Sequence, residues 1–160
     1  MKKFKEVLEI GITASIDIIG GIFAAFLISF LFKLNFSVSL YIFGVCAALF
    51  PDVDFLIRFL VEGKVLDLGG VFHREYLHHP FWIVTILGTF FYFYLGLEYG
   101  LLFVLGVLYH FIHDSVDNGY GVYWLWPFSK LRYQFYPPRS YTKNQIIYEL
   151  EKNQSAEIKI

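Results

Sequence analysis

All five histidines of the 160-residue chain lie between positions 73 and 113, each close to another histidine, an Asp or a Glu. They fall, with the neighbouring acids, into three segments: Pro51-Asp52-Val53-Asp54, His73-Arg74-Glu75-Tyr76-Leu77-His78-His79, and His110-Phe111-Ile112-His113-Asp114-Ser115-Val116-Asp117. Neutral imidazoles mixed with carboxylates suit Zn²⁺, Mn²⁺ or Fe²⁺ better than Ca²⁺, which takes mostly oxygen. Cys46 is the only cysteine, so an intrachain disulfide and a cysteine-built zinc site are both excluded. In the third segment His110, His113, Asp114 and Asp117 are spaced i, i+3, i+4 and i+7, which puts them on one helical face, with His110 and Asp114 the best-placed pair. Asp52 and Asp54 stand two apart after a proline, and extended or turn backbone lets both carboxylates face the same ion. Asp52 serves equally well as the cap of a following helix.

The elements that must position these residues are apolar. The chain is 57% hydrophobic, 21% aromatic and 17% charged, with a mean hydropathy of +0.55, too apolar for an ordinary soluble domain. A formal net charge of −1 gives no basic pull toward nucleic acid, and none is expected as a partner. Between Ile10 and Phe32 the only charge is Asp17, so this run is a first membrane span. Lys2, Lys3 and Lys5 could open a signal peptide, but Glu6, Glu9 and Asp17 interrupt that pattern. Phe36 to Phe50 is a shorter second span, joined to the first by a Lys33-Leu34-Asn35 turn and halted by Pro51. A short interfacial helix is expected from Phe55 to Val61. Pro80 opens a third span over Phe81 to Leu97, Glu98 marks the return, and Tyr99 to Asp117 is a fourth span whose last turns carry the polar cluster. Beyond Asn118, glycines and prolines break up any long element, Trp124 and Trp126 suit an interfacial belt, and Thr142 with Gln145 forms a capping box before a short solvated helix.

The fold expected is therefore all-α: an integral membrane bundle of about four transmembrane helices, with residues 1–140 as one metal-binding domain and 141–160 as a short polar C-terminal helix and tail. With both termini cytoplasmic, Lys33 is the only one of the 13 Lys and Arg residues left outside. This multi-pass arrangement in the cytoplasmic membrane brings the end of span two, the start of span three and the end of span four to one side. The three polar segments converge on that face. Asp17, roughly 10 Å along span one from Ile10, can reach the same site.

The order and spacing of Pro51-Asp52-Val53-Asp54, His73-Arg74 with His78, and His110-x-x-x-Asp114 followed by Gly121 and Trp126-Pro127-Phe128 resemble the YdjM-type inner-membrane metal-dependent hydrolases, from about residue 44 to residue 128. The resemblance implies a membrane-bound helical bundle with a site for one or two divalent ions built from Asp52, Asp54, His73, His78, His110 and Asp114. The family pattern runs roughly His-Arg-Gly-x-Thr-His-Ser, whereas this chain has Glu75, Leu77 and His79 at the Gly, Thr and final Ser positions. The family usually also carries a histidine in its first span, for which Asp17 is the substitute here.

These residues lead us to expect hydrolysis of a phosphoester, on a membrane-proximal or lipid-linked substrate, by a metal-activated water. Arg74 would contact phosphate oxygens, and Glu75, His79 or His113 would carry a proton to the leaving group. Amide or ester hydrolysis at a single metal is the nearest rival. Others are a catalytically inactive membrane adaptor that keeps the metal, and a metal or proton transporter, which should have polar residues in depth across several spans.

Overall fold

The computed structural model describes residues 2–54, 77–116 and 120–148. Its elements are helix α1 (Lys2–Leu31), α2 (Val38–Leu49) with a 3-10 turn over Phe50–Asp52, α3 (Pro80–Leu95), α4 (Leu97–Val116), strands β1 (Arg132–Phe135) and β2 (Pro138–Tyr141), and a short helix α5 over 143–148. The chain forms two compact units, one of Met1–Pro51 with Trp82–His110 and one of Asp52–Phe81 with Phe111–Ile160.

Helices of the first unit start and stop for local reasons. Lys33 takes the left-handed region at φ 53°, and the Leu34 and Lys33 amides donate to the Ser29 and Phe30 carbonyls, closing the last turn of α1 in a Schellman arrangement. Gly96 separates α3 from α4 at φ 99°, a conformation that a side chain would oppose, so the return comes two residues before Glu98. Small residues then set how closely the helices approach. Gly21 on α1 and Gly44 on α2 meet backbone to backbone, where a Cβ on either would lie 2.5 Å from the other's carbonyl oxygen. A Cβ on Gly106 of α4 would lie 3.0 Å from the Ala47 Cβ of α2. This is the contact mode of membrane helices, which associate by close packing because lipid is as apolar as their side chains. Ala24, Ala25, Ile28, Leu40 and Leu102 fill the core, and Phe43 sets its ring edge-on to Phe91 and Tyr99 at 5.1 Å.

The outward surface has the opposite character from that of a soluble protein. Phe30, Phe36, Phe93 and Tyr94 are 71–76% exposed, whereas Asp17 in the middle of the apolar α1 is 1% exposed. Apolar outside and ionisable inside is the pattern that a lipid solvent selects. Two stretches, Gly11–Leu31 and Leu97–Val116, are long and apolar enough to cross a membrane. Val38–Asp52 and Pro80–Leu95 are shorter apolar helices. Among the described residues Gly11–Leu31 and Leu97–Val116 are the candidate spans, and α2, whose 12 residues reach roughly 18 Å at about 1.5 Å each, is shorter than a hydrocarbon core of about 30 Å.

The second unit departs from the all-α expectation. β1 and β2 form an antiparallel hairpin with Arg132 opposite Tyr141, and Val122 bridges Tyr133 beside it. Pro137 and Pro138 were expected only to break structure; they lie in and just after the hairpin turn, where a proline needs no ladder amide. Gly121, at φ 71°, lies so close to the Tyr133 carbonyl that a Cβ there would overlap it. The expected boundary after residue 140 falls inside β2. The capping box is present, with the Thr142 amide donating to Gln145 Oε1 at 2.8 Å and the Gln145 amide to Thr142 Oγ1 at 3.3 Å. Yet α5 is not simply solvated, since Ile146 is 1% exposed and packs with Tyr141 and Tyr120. The interfacial helix expected over Phe55 to Val61 lies outside the described residues.

Candidate metal centre

In the second unit the site is built around His78, which is fully buried. Pro51 ends α2, and the tight backbone after it presents Asp52 and Asp54. Asp54 Oδ2 lies 3.1 Å from His78 Nδ1 and accepts the Leu77 amide at 3.3 Å. On the other side of the ring His78 Nε2 lies 3.1 Å from Asp114 Oδ2 on α4 and 3.9 Å from Asp52 Oδ1. Phe111, one turn before Ser115 on α4, sets its ring edge-on to the imidazole at 5.9 Å and closes the apolar side. His78 thus has carboxylate oxygen at both ring nitrogens, and the ring itself is fully buried.

That arrangement calls for a proton or a cation between the facing acceptors. If Nδ1 carries the proton given to Asp54, Nε2 presents a lone pair to carboxylate oxygens, and acceptors facing one another in a buried site repel. A proton, on the ring or on a carboxylate, or a cation between Nε2 and the carboxylates resolves the conflict. Asp54 Oδ1 adds to the demand, because it is buried and has no hydrogen-bond partner among the described residues. An imidazole whose Nδ1–H is held by a carboxylate while Nε2 faces further acid is the usual posture of a metal-ligating histidine. Asp52 and His78 are part of a His and Asp group able to hold a metal ion. The donor set, one imidazole nitrogen and carboxylate oxygens, fits a first-row divalent ion.

The first unit contains a related pair. Asp17 on α1 and His110 on α4 are each 1% exposed, with Asp17 Oδ2 3.3 Å from His110 Nδ1, at ion-pair distance rather than in hydrogen-bond alignment. The pairing depends on Gly20. Three residues after Asp17, and so on the same helical face, it leaves room for the ring of Tyr109, and a Cβ there would overlap that ring. Tyr109 immediately precedes His110, so the bare face of α1 lets the histidine come within reach of its acid. His110 in turn precedes Asp114 by four residues on α4 and shares its face.

Of the remaining residues expected in the site, His79 is half-buried, stacked on Tyr123 at 5.2 Å and edge-on to Trp126 at 4.7 Å. His113 is half-buried and about 100° round α4 from Asp114. His73, Arg74 and Glu75, like Asp117, lie outside the described residues. The sequence reading did not find the surroundings of His79, or Ser115, whose hydroxyl accepts the Trp124 indole N–H at 2.8 Å and ties the segment after α4 back onto that helix. The Trp124-Leu125-Trp126 alternation was the available signal, and it reads as an interfacial belt when taken alone.

No curated protein and no solved structure matches the chain. The family model described as YdjM inner membrane protein matches residues 13–156, which takes in Asp17, the three polar segments, the hairpin and α5. With nearly the whole chain matched, and with buried acid–histidine pairs inside an apolar helical protein, the chain belongs to the YdjM family of inner membrane proteins.

Proposed function

We propose that this is a multi-pass metal-dependent hydrolase of the cytoplasmic membrane, with both termini cytoplasmic, cleaving a phosphoester on a lipid-linked or membrane-proximal substrate. The observation that carries the reading is His78, with Nδ1 facing Asp54 while Nε2 meets Asp114 and Asp52. His110, with Asp17 at its Nδ1 and Asp114 one turn on, supplies a second oriented imidazole in this reading. When bound, a divalent ion such as Zn²⁺, Mn²⁺ or Fe²⁺ supplies Lewis acidity and lowers the pKa of the water it binds toward about 7.

The chain's residues then have separate tasks. Asp54 and Asp17 hold the rings of His78 and His110 and fix which nitrogen is free to ligate. Asp52 is the most accessible of the acids, with 38% of its side chain exposed, and so faces the route by which substrate and water arrive. Arg74 binds the phosphoryl oxygens with its planar donors and stabilises charge that develops on them. His79, or Glu75 or His113, protonates the leaving oxygen. No Ser or Cys nucleophile is needed.

The test is elemental analysis of detergent-purified protein alongside His78→Ala, followed by turnover of a phosphomonoester with added Mn²⁺ or Zn²⁺. The expected result is stoichiometric metal in the parent, loss in the variant, and metal-dependent phosphate release. A folded parent that stays metal-free after incubation with these ions contradicts the reading and favours proton relay, for which Asp17 and His110 inside candidate spans are suitably placed.

A further inference from the structure

The second unit has a surface cavity of about 470 Å³ that shares only His79 with the chemistry assigned above. His79, Tyr123 and Trp126 form its aromatic side, and Lys130 and Lys143 bring two ammonium groups to it from the segment before β1 and from α5. No acid lines it among the described residues. Behind the aromatic wall lies a third cation, Arg132, 1% exposed, its guanidinium carbon 4.7 Å from the centre of the Tyr123 ring. The cavity is therefore electropositive on two sides and flat and apolar on another. That combination fits a phosphate attached to an organic group, with the lysines taking the charge and the rings taking the body.

We propose that this cavity is a binding site for a phosphate group carried by an amphiphile. The exposed apolar residues next to Trp126 and His79 in the chain favour a lipid over a soluble phosphate. Leu125 and Phe128, on either side of the Trp126-Pro127 step, are 52% and 82% exposed, and Phe81, itself 45% exposed, sets its ring edge-on to Phe128 at 5.8 Å. Exposed apolar side chains beside a lysine-lined pocket match the boundary between lipid tails and headgroups. His79 joins this site to the metal-centre reading, because it is the residue after His78, and consecutive Cα atoms are about 3.8 Å apart. The inference thus deepens the hydrolase reading and rests on it only for the fate of the bound group, not for binding.

Binding is read by tryptophan fluorescence of the full chain in detergent, since Trp126 lines the cavity. The probes are dihexanoyl phosphatidic acid, inorganic phosphate and the phosphate-free dihexanoylglycerol. Phosphatidic acid is expected to shift the emission and to lose affinity about ten-fold in the Lys130→Gln/Lys143→Gln variant, as for removal of charge-assisted bonds of about 1.4 kcal/mol in all. Trp126→Phe should abolish the response while Trp82 and Trp124 remain as reporters of folding. Tighter binding of phosphatidic acid than of inorganic phosphate supports the lipid source, and equal binding overturns it in favour of a soluble phosphate compound. Unchanged affinity in the double variant, or equal binding of dihexanoylglycerol, overturns the site. No turnover enters these readouts: a chain that binds phosphatidic acid through the lysines but never hydrolyses an ester keeps the site and removes the hydrolase, and the converse result removes the site alone.

Discussion

His78 and His110 are held by the same device in different surroundings. Each has a carboxylate at Nδ1, but His78 also has Asp114 and Asp52 at Nε2, the first an acid of α4 and the second of the segment after α2, whereas Asp17 of the apolar α1 is the acid beside His110. The crowded region is held by hydrogen bonds, including the Leu77 amide to Asp54. The sparse one is held by helix packing, through the bare face at Gly20. One histidine is thus fixed by polar chemistry and the other by the distance between two helices, and substitutions should separate them.

The largest effect is expected from His78→Ala, which leaves Asp54 and Asp114 buried without their shared imidazole. Metal content should fall below detection, and thermal unfolding should show a loss of about 3–5 kcal/mol, the usual cost of removing one member of a buried ionic group. Asp54→Asn keeps the shape and the acceptor oxygen but removes the charge, so metal affinity measured by competition with a chelator should drop about 10–100-fold. Asp17→Asn should fall at the low end of the same range, because Asp17 meets His110 at ion-pair distance rather than in hydrogen-bond alignment. A loss for Asp17→Asn as large as for His78→Ala would break the distinction between the two regions.

Packing substitutions sharpen it from the other side. Gly20→Leu drives a side chain into Tyr109 and should cost about 1–3 kcal/mol in stability while lowering metal retention. Gly11→Leu on the same helix, where a Cβ meets nothing within 4 Å, should change neither quantity. Thr142→Ala removes one half of the capping box on α5 and should cost about 1 kcal/mol with metal content intact.

The crowded region was legible in the sequence because its acids and histidines come in dense local patterns: two acids flanking one residue after a proline, paired histidines before another proline, and an acid one turn beyond a histidine on α4. Asp17 was legible for the opposite reason, as a lone charge in an apolar run whose cost in lipid demands a partner. What could not be read was the partner itself, since Asp17 and His110 are brought together by a glycine facing a tyrosine, and nothing local in either helix announces that fit. The hairpin was hidden by its own prolines, which signal a break whether or not strands flank them. The start of α5 is legible in its capping box, but the burial of Ile146 is not, because Ile147 beside it is equally apolar and only the fold shows that Ile146 meets Tyr141 and Tyr120.

The central claim is that His78 and its acids hold a metal ion. Elemental analysis of the purified parent, His78→Ala and Gly11→Leu, at equal folded yield, tests it most directly. The account predicts stoichiometric divalent metal in the parent and in Gly11→Leu and none in His78→Ala. Equal metal in all three, or none in any after incubation with Zn²⁺, Mn²⁺ and Fe²⁺, would contradict it.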